Sequence, residues 1–260
     1  MSDLFEFGRA ADPTASSQYG ASGDMKKTQY VLQLLGFPGD AGTLKCLVTA
    51  VEVGMETDCG ILDITAGAHE SGDYLQVSPL GLVPALKEAD YIVTGELGIM
   101  SYIEARGLGK RLPPKNAGLL AAQNYWGDLA CSEAKPHVES IVQQRIYAPM
   151  QGKDSDGVAV DQARSGLSAV LDALDGQLAG KEFIIGDYSF ADIHWTAYVH
   201  LLYEAGEGDL VDSRANIKAW FDRIRTHKSY CGQDIVAYDL LPKLEGIKNK
   251  QLHSVEVSDY

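Results

Sequence analysis

Apolar residues change their spacing part-way along this chain. Up to about residue 107 they come in short runs broken by Gly, Pro and Asp. The run Gln29-Tyr30-Val31-Leu32-Gln33-Leu34-Leu35-Gly36 predicts a strand, and the loop Phe37-Pro38-Gly39-Asp40-Ala41-Gly42 leads into a helix expected from about Thr43 to Val53, closed by Gly54. Gly60-Ile61-Leu62-Asp63-Ile64 predicts a second strand and Tyr91-Ile92-Val93-Thr94 a later one. Leu97, Ile99, Met100, Tyr102 and Ile103 then make one apolar helix face that stops at Gly107. The order is strand, helix, strand, helix, then hairpin and helix, and its parallel part needs a crossover helix.

Beyond that point the spacing is three and four throughout. Helices are expected near 115–150, 158–180, 189–205, 213–229 and 231–246, with no strand. Ser189 and Asp192 stand at capping-box spacing: the serine caps the helix start and the acid three residues on returns the bond. Tyr188 and Ile193 are placed to add a hydrophobic staple.

Composition narrows the class. A chain of 260 residues with 45% hydrophobic content can bury a sizeable core, and no apolar run reaches membrane-spanning length. The net charge of -14 opposes nucleic acid and anionic membranes as partners. Cys46, Cys59, Cys131 and Cys231 are scattered, with neither a disulfide framework nor a zinc spacing, so a reducing cytoplasm and no metal are expected. Cys46, one turn into its helix, reads as a small core residue. Residues 1–27 read as a flexible arm without a secretory or transit pattern, and 247–260 as a tail.

The stretch Ser78-Pro79-Leu80-Gly81-Leu82-Val83-Pro84-Ala85-Leu86 is the most informative in the chain. Val-Pro entering a short strand after a Pro/Gly turn is a place for a cis peptide, and it resembles the Asn-Pro-x-Gly-x-Val-Pro-x-Leu segment of glutathione transferases, in a bacterial or theta-like pattern. Ser189-Phe190-Ala191-Asp192 resembles the box that opens the central helix of that family's C-terminal domain, and Asn216-Ile217-Lys218-Ala219-Trp220-Phe221-Asp222-Arg223-Ile224 resembles its late helix. Together these motifs span roughly residues 29 to 230. The resemblance implies a thioredoxin-like α/β domain over 28–107, followed by an all-α domain over 114–246.

It also implies a site. Backbone groups of Val83, beside Pro84, would hold glutathione as an added strand. A donor at the start of the first helix would stabilise the thiolate. In that window Gly42 stands where one bacterial class has its cysteine, and Thr43 is the only hydroxyl, so Thr43 is the catalytic candidate. The family's acid-serine pair for the γ-glutamyl carboxylate falls on Gly95 and Glu96, which puts a carboxylate where an anion should bind. Leu82 stands where some classes carry a lysine. Basic side chains are scarce, with 6 Lys/Arg against 15 Asp/Glu in residues 1–107, and Lys45 and Lys87 are the nearest by sequence.

For a second-substrate pocket the resemblance implies the first helices of the all-α half: Tyr125, Trp126, Leu129, Cys131 and His137, with Tyr198 or His194 reaching in from the central helix. Arg145, Tyr147 and His200 are further candidates. Aromatic residues at helical spacing are core residues more often than ligand contacts. The implied function is a cytoplasmic homodimer that binds glutathione as co-substrate and transfers it to a small hydrophobic electrophile, or uses it to reduce or cleave one. The alternative is the same fold kept as a non-catalytic binding or assembly module.

Overall fold

The computed structural model describes residues 32–230, apart from residues 38, 90, 108 and 110. The expected arm, the helix at 231–246, the tail and Cys231 lie outside the described residues.

A four-stranded sheet of order β2-β1-β3-β4 organises the first part of the chain. Strand β1 (Leu32–Gly36) pairs in parallel with β2 (Thr57–Ile61) and antiparallel with β3 (Ala85–Glu88), which pairs with β4 (Tyr91–Thr94). Helix α1 (Ala41–Glu52) makes the crossover that a parallel pair requires. Period-2 alternation splits the sheet's side chains. Leu32, Leu34 and Leu86 face the core shared with α1 and α3 (Glu96–Arg106), while Ala85, with Leu35 beside it, faces a smaller cluster of Leu62, Tyr74 and Val77 on the other side. Tyr74 lies on the short α2 (Gly72–Val77) and donates its hydroxyl to the Leu82 carbonyl at 2.6 Å, holding the turn before Val83.

Two boundaries differ from the sequence expectation. Strand β2 ends at Ile61, three residues before the expected end, and starts at Thr57 rather than Gly60. Its register against β1 begins at Leu32↔Thr57, and Asp63 leaves the strand to cap a 3₁₀ turn, its carboxylate accepting from Thr65 N and Ala66 N. Helix α1 starts two residues earlier than expected because Asp40, not a residue nearer Thr43, is its N-cap.

The remaining described elements are helical: α4 (Ala117–Leu129), α5 (Lys135–Val142), α6 (Ala148–Met150), α7 (Gly157–Leu178), α8 (Phe190–Glu204), α9 (Asp209–Asp212) and α10 (Ala215–Thr226). Helices α4, α5 and α6 run continuously through two π turns, Ala130–Ala134 and Gln143–Tyr147. Each π turn ends one residue before an X-Pro step, at Lys135-Pro136 and Ala148-Pro149. Proline lacks the N–H and its ring collides with the carbonyl four residues back, and a widened turn relieves both.

Helix α8 is the central one, with Ala191 to Val199 all buried. Its start is held by Asp192, which is fully buried and accepts four hydrogen bonds: from Ser189 N, Ser189 Oγ, Ile184 N and Trp220 Nε1, at 3.0 to 3.2 Å and, for Trp220, 2.9 Å. One carboxylate thus ties together the helix start, the preceding loop and α10. Tyr188 stacks on His227 and packs against the buried cluster that includes Ile193. No helix among the described residues is long and apolar enough to cross a membrane.

Candidate functional site

The start of α1 carries the first-turn N–H groups of Ala41 and Gly42, which no intrahelical carbonyl can take. Asp40 accepts from Thr43 N at 2.6 Å and from the Thr43 hydroxyl at 2.8 Å. The same Thr43 oxygen accepts from Phe37 N at 3.1 Å, and the side chain is 1% exposed. This departs from the bonding expected of a thiolate donor at Thr43. Its proton goes to Asp40 and one lone pair to Phe37, so in this structure it serves as a cap partner. The signal was in the sequence: an Asp three residues before a Thr, just ahead of an apolar helix, is a cap. Burial pushes the Asp40 carboxyl up to about 6, and Glu96 adds to the shift, against the Thr43 hydrogen bonds and Lys45.

Pro84 reaches this helix start directly. The Val83-Pro84 peptide is cis, Pro84 is buried and Val83 half-buried. A Cβ on Gly42 would stand 3.0 Å from Pro84 Cδ and 2.9 Å from Glu96 Oε2. Gly42 is therefore glycine because two other elements converge on its backbone. Of the proposed γ-glutamyl pair, Gly95 begins α3 with no side-chain cap, while the Glu96 side chain folds inward over the start of α1.

What neutralises Glu96 is Lys45. Nζ lies 3.0 Å from Glu96 Oε1 and 2.8 Å from the Tyr198 hydroxyl, and the lysine side chain is wholly shielded. Burial pushes the Glu96 carboxyl up, but Lys45, aided by Lys135 and His194, outweighs it and the net shift is downward. Lys45 is thus not placed to meet a glycyl carboxylate, contrary to expectation. Facing inward from α1, it has become the counter-ion of an internal acid. Cys131 Sγ adjoins the pair, 3.7 Å from Glu96 Oε1, and His194 Nδ1 lies 3.8 Å from that sulfur.

A cavity of about 350 Å³ opens between α3, α4 and α8, lined among others by Met100, Gln123, Asp128, Cys131 and His194. Of the residues expected in a second-substrate pocket, Cys131 and His194 line it, whereas Tyr125, Trp126, Leu129, His137 and Tyr198 do not. Trp126 is buried and its carbonyl accepts from Trp195 Nε1; Tyr198 is 1% exposed and bound to Lys45; Leu129 packs on the core; Tyr125 is exposed on the outer face. The helix presents positions 123, 124, 127 and 128 to the cavity, with Cys131 following, rather than 125, 126 and 129. Gly127 leaves the room that His194 takes, since a Cβ there would stand 3.1 Å from the imidazole. His137 packs on Gly166, Arg145 pairs with Glu207, and His200 bonds Tyr230. Tyr147 donates to the Gly39 carbonyl at 2.7 Å, fixing the loop that precedes α1.

Comparison with known proteins bears on this geometry. Residues 130–228 match the family model for the glutathione S-transferase C-terminal domain. Among curated relatives, glutathione S-transferase F10 of Arabidopsis thaliana is 27% identical over 194 residues, covering 73% of this chain and 90% of its own. Glutathione S-transferase 3 of Zea mays is 27% identical over 216 residues, covering 81% and 96%. The solved structure of glutathione transferase F7 from Populus trichocarpa superposes with a TM-score of 0.73 at 27% identity, covering 80% of this chain and 99% of that one.

The chain carries the glutathione S-transferase C-terminal domain over residues 130–228 and is similar to glutathione transferases over most of its length. Its relatives are plant phi-class proteins, which corrects the bacterial or theta-like expectation drawn from the cis-proline segment. Two carboxylates, Asp40 and Glu96, surround the α1 start, with a lysine buried behind them. Sequence reasoning saw each of these residues but missed that they meet, because residues 40, 45, 96, 131 and 194 share no local spacing.

Proposed function

We propose that the protein is a glutathione transferase that binds glutathione along the Val83-Pro84 edge, with the thiol at the start of α1, and transfers it to a small hydrophobic electrophile. The observation that carries the reading is the convergence of Pro84 and the first turn of α1 at Gly42, where a strand-edge peptide site and an anion-favouring helix terminus become one site. The extent of the likeness supports it, since the chain spans 90% or more of the transferases just described.

In this reading the N–H groups of Ala41 and Gly42 stabilise the thiolate, as no side-chain hydroxyl is free there. Val83 fixes the cysteinyl unit, and Gly95 with the α3 start receives the γ-glutamyl end by backbone alone. Holding both reactants in one place supplies much of the rate. A glutathione S-transferase I structure from maize holds an atrazine–glutathione conjugate, the adduct of glutathione with a small electrophile of the class we propose here. The protein works as a cytoplasmic homodimer, as its superfamily resemblance implies.

Calorimetric titration with glutathione, followed by turnover with a chlorinated aromatic electrophile, tests the proposal. Saturable heat and thiol-dependent conjugation are expected. No heat at millimolar glutathione, in the parent and in Glu96→Gln alike, would leave only the binding-module alternative.

A further inference from the structure

We propose that Glu96, Cys131 and His194 form a binding site for a zinc-class transition-metal ion, with its open coordination position toward the cavity between α3, α4 and α8. The three come from different helices, α3, the first π turn and α8, and offer one ligand atom each within 4.8 Å of one another. Cys131 Sγ is 3.7 Å from Glu96 Oε1 and 3.8 Å from His194 Nδ1. Tetrahedral zinc with ordinary metal–ligand lengths places such ligand atoms roughly 3.4–3.7 Å apart. Two of the three edges are therefore near their bound values already.

The donor set fits one class of ion. Thiolate, imidazole and carboxylate together favour Zn²⁺ or Co²⁺ over Mg²⁺ and Ca²⁺, which prefer all-oxygen shells. Three protein ligands with a fourth position open is the pattern of a reactive rather than a closed structural site. Two further observations point the same way. Cys131 lies in a π turn, a distortion that recurs at functional sites, and Gln123 Oε1, buried in the cavity wall, has no hydrogen-bond partner. A water on the ion in that cavity would need an acceptor of this kind.

Binding requires Cys131 to lose its proton: the S–H bond breaks, a sulfur–metal bond forms, and the proton goes to solvent. This step makes metal uptake weaken at low pH. His194 would bind through the lone pair of a ring nitrogen and Glu96 through a carboxylate oxygen. Lys45 is the competitor, at 3.0 Å from Glu96 Oε1 and 3.9 Å from Cys131 Sγ, and Lys135 adds positive charge nearby. Asp40 and the cavity-lining Asp128 offset part of that charge. A neutral cluster thus gains one net positive charge when a divalent ion enters and a proton leaves.

The site can be tested without glutathione. Full-length protein, stripped with chelator and dialysed against Zn²⁺, should retain one ion per chain. Co²⁺ in its place should give a near-ultraviolet thiolate-to-cobalt absorption band. Cys131→Ser should remove that band and weaken Zn²⁺ binding by more than about a hundredfold, because even outer-shell partners of a metal are worth about ten- to a hundredfold. His194→Gln, checked for retained fold by circular dichroism, should weaken binding similarly while leaving some thiolate band at high Co²⁺. Absence of retained Zn²⁺, or a cobalt band unchanged in Cys131→Ser, overturns the assignment.

Discussion

Lys45 Nζ sits 3.0 Å from Glu96 Oε1, its side chain wholly shielded and the glutamate's only 15% exposed. Removing either charge strands the other in the interior, which costs about 3–5 kcal/mol, whereas replacing both by neutral groups is far milder. Lys45→Met and Glu96→Gln should each destabilise strongly, and the double variant should lose much less than their sum. Urea unfolding of the three variants checks this; additive losses would mean that the pair is not coupled.

Glutathione affinity should move in the opposite sense to stability. In Glu96→Gln the carboxylate over Gly42 is gone, and the helix terminus is free for the ligand's own anion. Binding should tighten by about tenfold, or roughly 1.4 kcal/mol, in calorimetry. Unchanged or weaker binding would place the thiol away from α1.

Thr43 joins Asp40 to Phe37 through one buried oxygen. Thr43→Val removes both bonds and leaves a buried amide and carboxylate short of a partner, a loss of about 2–3 kcal/mol. Thr43→Ser keeps the oxygen and should lose about 1 kcal/mol, for one methyl group. The turnover number of folded Thr43→Val should stay within a fewfold of the parent. A hundredfold fall in turnover with stability intact would return Thr43 to the chemistry.

Asp40 gives stability a pH dependence. With its carboxyl raised from 3.8 to about 6 on folding, the native state holds the proton more tightly than the unfolded chain. Its contribution is complete below about 4 and is lost as the pH rises through about 6, with a slope of at most about 1.4 kcal/mol per pH unit. Asp40→Asn keeps an acceptor for the cap and should flatten that part of the curve relative to the parent. Parallel curves from pH 4 to 7 would show that Asp40 keeps its ordinary carboxylate behaviour.

Asp192 accepts from four donors in three places, so Asp192→Ala strands several buried groups at once. A loss of at least about 3 kcal/mol is expected, since each stranded donor costs about 1–3 kcal/mol. Trp220→Phe removes one of the four donors, and its loss should be less than additive with Asp192→Ala. Chemical unfolding of the singles and the double decides it.

By itself the sequence determined the architecture. Period-2 runs and a crossover helix, then spacing of three and four, specify a strand-helix unit followed by helices, because each element's pattern is set by residues within a few positions of one another. The Ser189–Asp192 box and the Val83-Pro84 turn were legible for the same reason. Asp40 was legible too, as a cap, and Thr43 takes its place in that cap only when Asp40 is read first. The site's chemistry was not. Whether Glu96 turned inward, what balanced it, and which face of α4 met a cavity depended on residues 35 to 153 positions apart. Only tertiary packing brings Lys45, Glu96, Cys131, His194 and Tyr198 within bonding distance. There, burial and charge, which carry no local signature along the chain, decide what each group can do.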